Sequence, residues 1–247
     1  MSLNKGFFPT NMQPTVPELL AENLARVRQR IASACESAGR RLGSVHLLAV
    51  TKYVEPEVID ALASLGQVDV AENYVQRAID KMDACAAPDL RWHLIGHLQS
   101  NKVRKVVGRV ASIQTVDSVK LVERISAVAV EQSLELPIYL QVNVSSEPTK
   151  SGCSPESLDH LVEATLTQSG IQLRGLMAMA AFGSSPEEAR PSFSNLRELA
   201  ERTTRRHGLE PLRLSMGMSN DLEVAIEEGA TDVRVGSALY QQVLPCR

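Results

Sequence analysis

From residue 45 onward the chain alternates short apolar runs with amphipathic stretches, eight times over and without a break. The runs at 45–51, 68–71, 92–95, 112–116, 137–142, 173–177, 212–214 and 233–235 have the length and composition of strands. Between them, 55–65, 73–83, 98–107, 118–133, 155–169, 186–207 and 221–229 carry a helical apolar period. Ser154-Pro155-Glu156 and Ser185-Pro186-Glu187 each offer a Ser N-cap, Pro at the first helical position and an acid in the first turn. Gly66, Gly170, Gly208 and Gly229 stand where C-cap glycines belong. This register predicts an α/β fold, a single-domain (β/α)8 TIM barrel. Alternation alone does not show closure, so an open doubly wound sheet is the competing architecture. The first strand is followed by Thr51-Lys-Tyr-Val-Glu55 rather than a glycine-rich fingerprint, which speaks against a dinucleotide-binding domain.

Ahead of the alternation, Pro17 opens an extra N-terminal helix to about Arg40, with Leu20, Leu24, Val27, Ile31, Ala34 and Ala38 on one stripe. Residues 1–15 read as a flexible tail, and no composition break divides 16–247. A net charge of −3 leaves no basic footprint for nucleic acid. No apolar run reaches bilayer length, and the N-terminus lacks a basic segment before an apolar one, so a cytoplasmic protein without a membrane partner is expected. Cys35, Cys85, Cys153 and Cys246 are scattered without metal-ligand spacing and read as free thiols.

The end of the chain carries the strongest local signal. Leu214-Ser-Met-Gly-Met-Ser-Asn-Asp221 and Asp232-Val-Arg-Val-Gly-Ser237 each read as a short strand, a Gly/Ser turn and a helix start. Two such turns in tandem aim backbone N–H groups and the hydroxyls of Ser215, Ser219 and Ser237 at one point. Unpaired N–H groups bind anions, and in (β/α)8 barrels the phosphate site commonly follows strands seven and eight.

Barrel chemistry sits at the C-terminal ends of the strands. Lys52 closes the run Leu47-Leu-Ala-Val50. Partial desolvation there favours the neutral amine, the form that attacks an aldehyde to give a Schiff base; the competing reading is a lysine snorkelling off the rim. Arg234 points opposite to Val233 and Val235, either into the barrel or into the helix layer. Facing inward, its guanidinium donates and never accepts, so it would hold a ring nitrogen unprotonated; the alternative is a buried arginine paired with Asp232, Glu223 or Glu228. Asn73 and Asn143 end strands two and five and suit either ring-substituent contacts or turns. His93 and His97 read as satisfied structural histidines, and the Met177/Met179 and Met216/Met218 pairs as core, although Met218 could sit near a ligand.

With these residues placed, the chain resembles the YggS/PROSC family of pyridoxal-phosphate (PLP) homeostasis proteins. The likeness runs from about Val16 to Tyr240, through Ala49-Val-Thr-Lys52, Glu72-Asn-Tyr-Val-Gln76, Trp92-His-Leu-Ile-Gly96, Leu98-Gln-Ser-Asn-Lys102, Gln141-Val-Asn-Val144, Lys150-Ser-Gly152, Arg174-Gly-Leu-Met177, Ser215-Met-Gly-Met-Ser219 and Val233-Arg-Val-Gly236. The resemblance implies PLP held covalently on Lys52, with Arg234 facing the pyridine nitrogen. It implies that Met218, Ser219, Gly236 and Ser237 hold the phosphate and that Asn73 and Asn143 line the pocket. His97 replaces the usual Pro, Gln241 the usual Gly, and Tyr53-Val-Glu55 a Thr/Lys-rich turn.

Three functions compete: a PLP carrier without a robust reaction of its own, an amino-acid racemase-like enzyme or decarboxylase of the same fold type, and a PLP-free barrel enzyme acting on a sugar phosphate. The last needs neither Lys52 nor Arg234 at these places. Racemisation needs an acid and a base on opposite faces of the substrate. Racemases of this fold type carry a C-terminal β-domain whose tyrosine serves one face from a partner subunit. The sequence ends shortly after the eighth strand and offers a lysine for one face. A monomeric carrier serving PLP homeostasis, with PLP-dependent apo-enzymes as recipients, is therefore expected.

Overall fold

The computed structural model describes residues 14–145, 151–181 and 183–244. The tail at 1–13, Lys150 of the Lys150-Ser-Gly152 motif, and Cys246 lie outside them. Among the described residues eight strands run parallel in chain order: β1 (His46–Val50), β2 (Asp69–Glu72), β3 (Arg91–Leu94), β4 (Ser112–Val116), β5 (Leu136–Gln141), β6 (Ile171–Met177), β7 (Arg213–Ser215) and β8 (Asp232–Val235). β8 pairs with β1 through His46/Asp232, Leu47/Val233, Leu48/Arg234 and Ala49/Val235. That pairing closes the sheet and decides for the barrel over the open sheet.

The helices are α1 (Val16–Ser37), α2 (Pro56–Ser64), α3 (Val75–Ala84), α4 (Val103–Val106), α5 (Val119–Glu131), α6 (Leu158–Leu166), α7 (Pro186–His207) and α8 (Leu222–Glu227). α1 opens with a capping box in which Glu18 Oε2 accepts from the Thr15 N–H at 2.8 Å. Ser185 and Glu188 repeat the device at α7. The helix expected at 98–107 is instead a 3-10 turn, Ser100–Lys102, and a single α turn, which ends where Val107 turns extended, just before Gly108 at φ +86°. α6 begins at Leu158 rather than at Pro155. Cys153 is held extended by its N–H bond to the Gln141 carbonyl at 2.8 Å, so residues 154–157 must turn the chain before a helix can start. α1 ends at Ser37, three residues before the expected Arg40.

The apolar core lies between strands and helices, where Ala49, Val70, Trp92, Ile113, Ile138, Leu176, Val233 and Val235 meet the helical stripes. The other face of each strand lines the barrel, and its middle is polar. Gln114 of β4 reaches Ser215 of β7, and Tyr139 of β5 reaches Asp232 of β8; neither pair belongs to neighbouring strands, so both bonds cross the interior.

Candidate functional site

Leu48 and Arg234 are register partners, which places both on the interior face, and strand alternation carries that face from Leu48 through Val50 to Lys52. Arg234 therefore faces inward, fully buried. Its Nη1 donates to Ser215 Oγ at 2.8 Å and its Nη2 to the Ala178 carbonyl at 3.0 Å. Ser215 Oγ in turn donates to Gln114 Oε1 at 2.7 Å. Each carboxylate considered as an alternative partner is engaged elsewhere: Asp232 with Arg213, Glu223 with Arg30, Glu228 with Arg190 and Arg197. Burial pushes the Arg234 guanidinium down to about 10, against the partial support of Asp221 and Asp232 at a distance, so it stays charged at neutral pH. Ser215, expected among the phosphate hydroxyls, is a buried interior residue that orients Arg234 instead. Its place on β7, rather than in the turn, makes the difference.

Lys52 lies two residues beyond β1, half-buried, with Nζ 4.9 Å from the centroid of the Tyr53 ring. The turn that carries it is held from α3: Arg77 Nη1 donates to the Lys52 carbonyl at 3.1 Å and Lys81 Nζ to the Thr51 carbonyl at 2.6 Å. Lys81 also forms a buried ion pair with Glu72, whose other oxygen accepts from the Asn73 N–H at 3.0 Å. This clamp on the ends of β1 and β2 was not visible in the sequence, because nothing in the spacing of Glu72 and Lys81 marks a pair.

Asn73 follows β2, and its Oδ1 is buried without a hydrogen-bond partner. Gly96 packs so closely on the Asn73 backbone that a Cβ there would lie 1.9 Å from the Asn73 carbonyl oxygen, which fixes glycine at that place. Asn143 stands two residues beyond β5, its N–H on the Cys153 carbonyl at 2.9 Å and its Oδ1 accepting from Ser145 at 3.1 Å.

The tandem turns are joined. The Arg234 N–H donates to the Gly217 carbonyl at 3.0 Å and the Ala238 N–H to Ser219 Oγ at 3.3 Å. Gly217 has φ +92°, and a Cβ would collide with Ala225 at 2.5 Å, so the first turn requires glycine twice over. The Met218 N–H is taken by Asp221 Oδ1 at 2.6 Å. Among the described residues no protein group accepts from the N–H groups of Ser219, Asn220, Gly236 or Ser237. Ser237 and Met218 are exposed, Ser219 and Gly236 half-buried.

His93 is satisfied as expected, between Ser112 Oγ at 2.7 Å and Asp69 Oδ1 at 3.0 Å. His97 is solvent-exposed rather than satisfied inside the fold. Met177 and Met216 are core, whereas Met179 and Met218 stand at the exposed mouth. Gln241 turns away from the mouth onto α1, its Oε1 accepting from Arg26 at 3.0 Å.

The chain thus combines a closed parallel barrel with a lysine after β1 and joined turns after β7 and β8. The model of the alanine racemase N-terminal domain matches residues 20–242. Pyridoxal phosphate homeostasis proteins of Aquifex aeolicus and Pseudomonas aeruginosa are each 42% identical, over 89% and 90% of this chain and 96% and 94% of theirs. Among solved structures, PipY of Synechococcus elongatus, described with PLP bound, is 36% identical with a TM-score of 0.80, covering 90% of this chain and 99% of that one. The chain belongs to the family of pyridoxal phosphate homeostasis proteins. An alanine racemase of Clostridium difficile shares the fold at 16% identity and a TM-score of 0.72, the match covering 90% of this chain and 56% of the racemase.

Proposed function

We propose that this chain binds PLP at the barrel mouth, covalently through Lys52, and holds it for intracellular PLP homeostasis without robust catalysis of its own. The observation that carries the reading is Arg234: a guanidinium buried on the interior face of the barrel, hydrogen-bonded only to neutral acceptors. Burying a charge with no carboxylate bonded to it is expensive, and such charges concentrate at functional sites. The residues present fit the cofactor. The orphaned Asn73 Oδ1 can accept from a ring hydroxyl. The donors of Ser219, Gly236 and Ser237, with the Met218 turn that carries them, suit a phosphate dianion. Lys52 supplies the amine for an aldehyde, and Asn143 borders the same mouth.

Bound PLP supplies an electron sink for chemistry on amines. Arg234 donates and does not accept, so facing the ring it keeps the pyridine nitrogen unprotonated and that sink weak. This favours a holder over a racemase. The proposal extends to a monomeric, cytoplasmic protein whose recipients are PLP-dependent apo-enzymes. No helix among the described residues is long and apolar enough to cross a membrane, and Cys35, Cys85 and Cys153 are free thiols.

The test is the absorbance spectrum of purified protein before and after borohydride reduction, with mass mapping of the labelled lysine. The expected label sits on Lys52 and disappears in Lys52→Ala. A label on another lysine with Lys52 unmodified would overturn the assignment. Chiral chromatography after prolonged incubation with alanine should show only traces of the other enantiomer; turnover of about 1 per second would restore the racemase reading.

A further inference from the structure

The structure assigns α1 a positioning role in phosphate recognition: Asn23 and Arg30 clasp the two anion-binding turns from outside the barrel. The inference rests on the proposal that these turns hold the phosphate of PLP.

Arg30 forms a bidentate pair with Glu223 of α8, Nε at 2.6 Å and Nη2 at 2.9 Å, and the same Nη2 donates to the Ser219 carbonyl at 2.9 Å. That carbonyl belongs to the peptide unit whose N–H is Asn220's. In a planar trans peptide the C=O and N–H point in opposite directions. Drawing the carbonyl toward α1 therefore aims the Asn220 N–H away from α1, on the side of the barrel mouth.

Asn23 acts on the other turn. It is buried, and its Nδ2 donates to the Leu239 carbonyl at 3.1 Å and to the Gln241 carbonyl at 2.9 Å. The Leu239 N–H returns to the Gly236 carbonyl at 2.9 Å and the Tyr240 N–H to the Ser237 carbonyl at 3.3 Å. Residues 236–240 are thus one tight turn, with the unpaired Gly236 and Ser237 N–H groups at its start and Asn23 at its end.

Docking alone does not call for these groups. Leu20, Leu24, Val27 and Ile31 already give α1 a buried apolar stripe, and a leucine at position 23 would extend it. A buried amide spending both donors on loop carbonyls fixes backbone orientation, which the apolar stripe cannot do.

The experiment measures dissociation constants for PLP and for pyridoxal with the full chain and its Asn23→Ala, Arg30→Ala and Arg28→Ala variants. Arg28 is the control, because it ties α1 to the end of α2 through the Leu65 and Gly66 carbonyls, away from both turns. The preference for PLP over pyridoxal should fall roughly tenfold in Asn23→Ala and Arg30→Ala and change less than about twofold in Arg28→Ala. Arg30→Lys, which keeps charge without the fork, should lose part of the preference and carries the test if an alanine variant does not fold. Equal weakening of both ligands, or an unchanged preference in Arg30→Lys and Arg30→Ala, would overturn the clasp. A wild-type protein with no preference for PLP would instead defeat the proposed function itself.

Discussion

Asp232 and Arg234 stand two residues apart on β8 and face the same interior, yet their surroundings are opposite. Asp232, at the N-terminal end of the barrel, is saturated: Arg213 donates at 2.7 and 3.0 Å, Thr231 Oγ1 at 2.7 Å and Tyr139 Oη at 3.4 Å. At the same end of the barrel, on β2, Asp69 holds His93 and Arg91. One layer higher, Arg234 has only a hydroxyl and a carbonyl, Asn73 Oδ1 has no partner, and the N–H groups of Ser219, Asn220, Gly236 and Ser237 have no acceptor among the described residues. Asp232 and Asp69 at the lower end are matched by their neighbours; around Arg234 the mouth keeps unmatched groups of the kinds an anionic, aromatic aldehyde would complete. This is the division between stability and function expected along a barrel axis.

If the lower end is structural, breaking it should cost the most stability. Asp232→Ala leaves Arg213 uncompensated inside the barrel and is expected to destabilise the fold by about 3 kcal/mol in urea unfolding, with ligand-free protein as reference. An effect within about 0.5 kcal/mol, the range of ordinary surface substitutions, would break the comparison.

At the mouth the expected losses are in binding. Ser219→Ala also frees the Ala238 N–H and should weaken PLP by about 2 kcal/mol, roughly 30-fold in Kd. Ser237→Ala should cost less, since its side chain is exposed. Neither should move the unfolding midpoint of the ligand-free protein appreciably; a large shift there would make these turns structural as well.

The smallest effect sharpens the same division through pH. Burial pushes the Asp69 carboxyl up, but the bonds and charges of His93 and Arg91 outweigh it and leave it below the ordinary aspartate value of 3.8. A depressed folded pKa contributes stability that is present above 3.8 and lost as pH falls through the lower folded value. Asp69→Asn should therefore flatten the acid limb of the stability profile below about pH 4. An unchanged limb would show that Asp69 is not part of the paired layer.

Much of this was legible in the sequence, because local signals set it. The strand–helix period, the Ser185-Pro186 cap, and glycines at Gly66 and Gly208 are chemistry within a few residues of one another. Lys52, Asn73, Arg234 and the tandem turns lie at strand ends, and that rule is also local. Closure was not legible, since it depends on β8 finding β1. Nor were the partners that meet only across the barrel or across layers: Gln114 with Ser215, Glu72 with Lys81, Asn23 with Leu239. Ser215 was misplaced for the same reason. Its motif suggested a phosphate hydroxyl, while its register on β7 turned it onto Arg234.

The most direct measurement compares wild-type and Arg234→Met protein in thermal unfolding, with and without saturating PLP. Methionine approximates the arginine stem and removes a buried charge that has no bonded carboxylate, only the distant support of Asp221 and Asp232. The ligand-free variant should be at least as stable as wild type, and PLP should stabilise wild type but much less the variant. A ligand-free variant destabilised by several kcal/mol, with its PLP-induced shift intact, would mean that Arg234 serves the fold and not the cofactor.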